Sequence, residues 1–189
     1  MNHLPTIALV SISLLSCSAP ALGTGVPSFE IEISKGERQL LVKQDGQIVK
    51  HFRIAHGKGG FGSKRRLGDN KTPSGVYRIV DFKTDSRFYF FMQLDYPNLL
   101  DAWHGYRSEL IDASQFRAIA ATYRSGDVPP QDTPLGGYIG IHGIGDSTNE
   151  RLEIHRYNNW TEGCIALTNE ELNELREFVS IGTRVVIRE

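Results

Sequence analysis

The sequence has little cysteine: Cys17 and Cys164 are its two, far apart in a chain of 189 residues. That spacing offers no Cys-x-x-Cys pair and no cluster of four, which argues against a zinc knuckle, an iron–sulfur site or a disulfide framework. Net charge is also lacking. Lys and Arg total 21 against 22 Asp and Glu, a formal charge of −1. So even a balance excludes a strongly basic nucleic-acid binder and an acidic tail. Long apolar runs are missing as well. The one notable run, Ile7 to Leu15, is too short for a membrane-spanning helix, so no transmembrane helix is expected in the mature chain. No His-Glu-x-x-His and no Gly-Lys-Ser/Thr phosphate loop occurs, and no metal or cofactor is expected.

The short run is followed by Ser16, Ser18, Ala19, Ala21 and Gly23, the apolar-core and small-residue pattern of an export signal. Residues 1–23 are therefore read as a signal peptide, and the protein as exported. Leu14-Leu15-Ser16-Cys17 offers a second reading, a lipobox with a lipid anchor at Cys17. Either way Cys164 is left unpaired in an oxidising compartment, which calls for a reason, and catalysis is one.

Composition is globular, with 40% hydrophobic and 23% charged residues, and the nineteen glycines speak for many turns. Alternation in Phe29 to Ile33 predicts a half-buried strand, and Gln39 to Lys43 and Ile48 to Ala55 predict a hairpin around Asp45-Gly46. A glycine-rich basic loop follows, from His56 to Pro73. Further strands are predicted over 75–82, 88–94, 138–141 and 184–188. Two helices are expected, one over 110–124 and one opened by the capping box Thr168/Glu171. The fold is expected to be mainly β with two or so short helices, as one domain over residues 29–188.

Gly57-Lys58-Gly59-Gly60-Phe61-Gly62 fits the spelling of a dinucleotide fingerprint, but Ser63 to Asp69 reads as loop where a helix is required. The run Lys64-Arg65-Arg66 reads as a solvated loop face. His142 and His155 lack the acidic companions of a metal site, and His155, in the charged stretch 151–156, reads as a loop residue.

Cys164 and His142 carry the chemistry. His142 ends the apolar run Tyr138 to Ile141 and precedes Gly143, while Cys164 follows Gly163. Glycine permits close substrate approach and lets successive N–H groups converge, as an oxyanion hole requires. A free thiol, with a pKa near ~8.5, is mostly protonated at neutral pH and is activated by an adjacent imidazole.

Ile139-Gly140-Ile141-His142-Gly143 followed by Thr161-Glu162-Gly163-Cys164-Ile165 resembles the signature of the L,D-transpeptidase (YkuD-type) catalytic domain family. Gly68-Asp69-Asn70-Lys71-Thr72-Pro73-Ser74-Gly75-Val76-Tyr77 matches a second block of that family. Trp160 to Ala166 and Tyr96-Pro97-Asn98 are similar to its YafK-like murein subgroup. The resemblance implies a β-sandwich-like catalytic domain and an exported enzyme of cell-wall biogenesis in the periplasm or cell envelope of a bacterium, acting on peptidoglycan stem peptides. It implies Cys164 as nucleophile and His142 as general base and acid. The Gly143 carbonyl would orient the imidazole. Backbone N–H groups of Glu162, Gly163 and Cys164 would stabilise the oxyanion, with Thr161 at the Ser/Thr position. Hydrolysis by the same Cys–His pair, as an L,D-carboxypeptidase or endopeptidase, is the alternative. A non-catalytic wall-binding module has less support, because binding needs neither residue. Many members carry His before the Gly-Cys and Arg or Asn two residues after the Cys. Here Glu162 and Ala166 stand in those places, which leaves a substrate carboxylate to Arg151 or Arg156.

Overall fold

The computed structural model describes residues 28–189. The expected signal peptide and the lipobox at Cys17 lie outside the described residues. Eight strands form one continuous mixed sheet in the order β3-β2-β1-β8-β4-β5-β6-β7. They are β1 (Phe29–Ser34), β2 (Gln39–Gln44), β3 (Gln47–Arg53), β4 (Gly75–Ser86), β5 (Tyr89–Leu94), β6 (Gly140–His142), β7 (Ile165–Ala166) and β8 (Arg184–Arg188). Strand β4 is the corner. Its first residues, Gly75 to Arg78, pair with β8, and the rest pair with β5 through two register shifts. The far edges then meet. Ala55, just beyond β3, exchanges hydrogen bonds of 3.0 and 2.8 Å with Ala166 of β7. The sheet thus folds back on itself as a sandwich.

Its two inner faces share one apolar core. Ile31 and Ile33 of β1, Leu40 and Val42 of β2, Ile79 of β4, and Ile141 and Ile165 are all fully buried. In β1 the alternate residues face out. Glu30 pairs with Arg184, and Glu32 with Lys43 at 2.8 Å. This is the period-2 alternation that the sequence predicts.

Four helices occur among the described residues, where two were expected: α1 (Leu99–Arg107), α2 (Ala113–Ser125), α3 (Asn149–Tyr157) and α4 (Asn169–Arg176). The expected helices are α2 and α4, each closed at its start by a capping box, Asp112/Gln115 and Thr168/Glu171. Helix α1 starts from the same device, Asn98 with Asp101, and packs on α2 around a second small core of Ala102, Ile111, Ile119 and Leu135. Helix α3 is polar almost throughout and buries His155 alone. Its last carbonyls are taken by a distant side chain: the Arg38 guanidinium donates to the carbonyls of His155, Arg156 and Asn158 at 2.9, 3.2 and 3.2 Å. The expectation of a loop at His155 is corrected accordingly. A helix with no apolar stripe is held by a long-range cap, which no local pattern reports. No described helix is long and apolar enough to cross a membrane.

Candidate active site

Strands β6 and β7 run parallel with Ile141 opposite Ile165 and His142 opposite Ala166. Both isoleucines face the core, so His142 and Ala166 face the other way, and so does Cys164, two residues before Ala166. This register brings His142 and Cys164 to the same cleft. The cleft has a volume of about 650 Å³ and is also lined by Phe88, Tyr138, Trp160 and Lys83.

The His142 imidazole is 1% exposed. Its Nδ1 lies 2.6 Å from the Gly143 carbonyl oxygen. A carbonyl only accepts, so Nδ1 carries the proton and Nε2 is left bare. Phe88 stacks on the ring at 4.3 Å between centroids, and Trp160 stands edge-on at 5.9 Å. Burial, with smaller contributions from His155 and Arg87, pushes the imidazole down to about 4, although the Gly143 contact opposes this. It is therefore neutral at pH 7.

Gly143 itself is tightly enclosed. A Cβ there would lie 2.4 Å from Asn169 Oδ1 and 2.9 Å from the Phe88 carbonyl. Asn169 opens α4 and clamps the loop after His142: its Oδ1 accepts from the Ile144 N–H at 3.1 Å and its Nδ2 donates to the Gly145 carbonyl at 2.7 Å. Sequence reasoning missed Asn169. Its only signal was its place beside the Thr168 cap.

Cys164 is half-buried and free. Its thiol donates to the Tyr138 carbonyl at 3.3 Å. Burial pushes the thiol up to about 11. Thiol and imidazole are therefore both neutral in the resting site. Tyr138 sits at φ 54, a left-handed conformation uncommon for a large side chain. The Gln131 side chain holds it there, accepting from the Tyr138 N–H.

The 160–164 loop is knitted to its surroundings by Thr161, which is buried. Its hydroxyl donates to the Cys164 carbonyl at 2.7 Å and accepts from the Gly163 N–H at 3.3 Å. Its backbone bonds to His56 and Lys58 at 3.2 and 2.9 Å. Gly163 has φ 135, and a Cβ would meet the Lys71 carbonyl at 2.7 Å, so the turn before Cys164 requires glycine. Of the three N–H groups expected to face an oxyanion, that of Gly163 is thus already turned to Thr161. The Glu162 side chain points outward, 3.6 Å from Lys58.

Lys64 departs from expectation. It is buried rather than solvated, and its ammonium is bound to Asp69 at 2.9 Å and to the Arg66 carbonyl at 3.0 Å. Arg151 and Arg156, expected near a substrate carboxylate, do not line the cleft. Arg151 is turned to the Ile144 carbonyl at 2.9 Å.

Comparison with known proteins follows the same outline. The family model of the L,D-transpeptidase catalytic domain, YkuD, matches residues 28–187. YafK of Escherichia coli (strain K12) is 30% identical over 156 residues, covering 79% of this chain and 46% of YafK. The chain thus spans about half the length of the curated relatives it matches. The crystal structure of the helical cell shape determining protein Pgp2 from Campylobacter jejuni is similar at 25% identity and a TM-score of 0.55, over 86% of this chain and 48% of Pgp2. An L,D-transpeptidase from Xylanimonas cellulosilytica shares the fold at 16% identity and a TM-score of 0.50, over 87% of this chain and 62% of that one.

Proposed function

Because the chain belongs to the YkuD family of L,D-transpeptidase catalytic domains, we propose that it is an acyltransferase of the bacterial cell envelope, acting on peptidoglycan stem peptides through a Cys164 thioester. The observation that carries this reading is the tautomer lock on His142. With Nδ1 committed to the Gly143 carbonyl, the bare Nε2 is the base on a cleft that also holds a free thiol.

The chemistry starts from a neutral pair rather than a thiolate–imidazolium. Once the donor peptide sits in the cleft, the thiol leaves the Tyr138 carbonyl and gives its proton to His142 Nε2 as sulfur bonds to the carbonyl carbon between the L-centre and the terminal D-residue. Backbone N–H groups of Glu162 and Cys164 receive the oxyanion, with the Thr161-braced Gly163 shaping the turn. Collapse breaks the C–N bond. The imidazolium returns its proton to the departing amine, D-Ala leaves, and a thioester remains. An acceptor amine then gives a proton to Nε2, attacks the thioester and restores the thiol. Export, through the signal at residues 1–23 or a lipid anchor at Cys17, completes the proposal, since stem peptides lie outside the cytoplasm.

Product analysis tests it. Incubation with a stem tetrapeptide and an added D-amino acid should yield the exchanged tetrapeptide with release of D-Ala. A trimmed tripeptide as sole product would make the protein an L,D-carboxypeptidase using the same residues, and no product of either kind would end the acyl-transfer reading.

A further inference from the structure

The cleft has two cations on its rim that form no ion pair with a carboxylate among the described residues. Lys83 and Arg87 both project from the β4–β5 hairpin and line the cleft. Lys64, which also lines the cleft, differs because Asp69 already neutralises it. Each of the two lies against aromatic rings that surround the reacting pair. The Arg87 guanidinium lies 4.6 Å from the Phe88 centroid, and Phe88 stacks on His142. The Lys83 ammonium lies 5.4 Å from the Tyr138 ring centre, and the Tyr138 carbonyl holds the thiol; it also lies 6.0 Å from Phe91, whose ring stacks more distantly on His142 at 6.1 Å. Arg87 thus stands on the imidazole side, through the closer of the two stacks, while Lys83 lies between imidazole and thiol.

This asymmetry matters because the two sides meet different parts of a donor. In acylation, His142 Nε2 hands its proton to the departing amine. In an α-amino acid one carbon separates that nitrogen from the carboxylate. The carboxylate of the leaving residue therefore lands within a few ångströms of the imidazole edge, within reach of an exposed arginine one ring away. Ala166 offers it no charge, and Arg151 and Arg156 do not line the cleft.

We propose that Arg87 is a specificity-determining residue that binds the α-carboxylate of the terminal residue released from the donor peptide, an inference that rests on the acyl-transfer reading above. A planar guanidinium suits this task, since its fork matches a carboxylate in two parallel hydrogen bonds. Stacking on Phe88 limits its rotamers before the ligand arrives, which reduces the entropy lost on binding. The contact also bears on the base. The Arg87 charge is one of the influences that hold the imidazole low, after burial and His155. A bound carboxylate cancels that charge and makes His142 a better proton acceptor when a peptide is in place.

The test uses Cys164→Ser protein, which does not turn the donor over, and calorimetric titration with a stem tetrapeptide ending in D-Ala and with its C-terminal carboxamide. The acid should bind about tenfold tighter than the amide, the worth of one charge-assisted contact. In Cys164→Ser/Arg87→Gln the two should bind within about twofold, with affinity for the amide unchanged, and Arg87→Lys should restore part of the preference. Equal binding of acid and amide with Arg87 present, a preference that survives Arg87→Gln, or no binding of either peptide would each overturn the assignment. Thioester formation on protein with Cys164 intact is scored separately. A carboxylate preference without a thioester sinks the acyl-transfer reading alone, and a thioester without the preference sinks the Arg87 assignment alone.

Discussion

The half of the sheet built from β1, β2 and β8 and the half built from β5, β6 and β7 bury their apolar residues in one core, yet the first pairs its charges while the second encloses neutral imidazoles. In the first half, charged side chains of the strands alternate outward and pair at the surface, as Glu32 does with Lys43 and Arg188; the one buried charge at its end, Lys35, is bound to Glu189 at 2.7 Å. In the second, His142 is enclosed by Phe88 and Trp160, and His155 is buried behind Trp160, whose indole N–H reaches it at 3.5 Å. Both histidines are pushed down to about 4, by burial first. One half is ordinary stabilising architecture. The other keeps an imidazole buried, neutral and fixed by the Gly143 carbonyl.

The contrast is broken most directly at His142. His142→Ala should lower acylation by roughly 10²–10⁴-fold, the usual worth of a general base, with the far-ultraviolet dichroism unchanged. A loss smaller than tenfold, measured by donor consumption, would return the imidazole to a structural role. Asn169→Ala should follow at roughly tenfold to hundredfold, because the clamp on residues 144 and 145 holds the Gly143 carbonyl that sets the tautomer. Loss of activity there with unchanged peptide affinity would mark Asn169 as a positioning residue.

Acid should weaken the site half selectively. A histidine whose folded pKa is about 4 and whose unfolded value is near 6.5 stabilises the fold fully above pH ~6.5, and loses that contribution as pH falls towards about 4. Each histidine then costs on the order of 3 kcal/mol between those limits. Asp101 works the other way. Burial raises it to about 6, so its contribution is present at low pH and lost as pH rises through 6, which offsets part of the loss on acidification. The unfolding free energy should fall from pH 7 to pH 4.5, and His155→Gln should flatten that slope without moving its Asp101 component. A flat profile in the parent protein would contradict the neutral-histidine account. The smallest effect belongs to the other half: Glu32→Gln should cost less than about 1 kcal/mol in denaturant titrations, because its ion pairs are partly solvated. A cost of several kcal/mol would mean that the β1–β2–β8 half also depends on its charges.

The same contrast explains what could be read from the amino-acid sequence. Strands β1, β2, β5 and β8 announce themselves by alternation or apolar content, and α2 and α4 by capping boxes and periodic apolar residues. Helix α1 carried a readable signal, Asn98 with Asp101, that was masked by the turn-like Tyr96-Pro97-Asn98. Helix α3 carried only a short one, the N-cap Thr148 with Glu150 in the first turn, without an apolar stripe behind it, and Arg38, far away in the chain, takes its last carbonyls. At the site, the His-Gly and Gly-Cys motifs identify the two residues that the β6–β7 register then brings to one cleft. What local pattern could not supply is everything set by tertiary approach: the Phe88 stack, the Asn169 clamp, the burial of Lys64 and the Tyr138 carbonyl under the thiol.

Intact mass of the purified protein after brief incubation with a carbapenem, run beside Cys164→Ser and His142→Ala, tests the central claim that Cys164 is the acylated residue and His142 its base. The account predicts one stoichiometric adduct on the parent protein, none on Cys164→Ser, and slow, incomplete labelling of His142→Ala. An adduct of equal yield on the parent and Cys164→Ser would place the acyl group on another residue and contradict the mechanism.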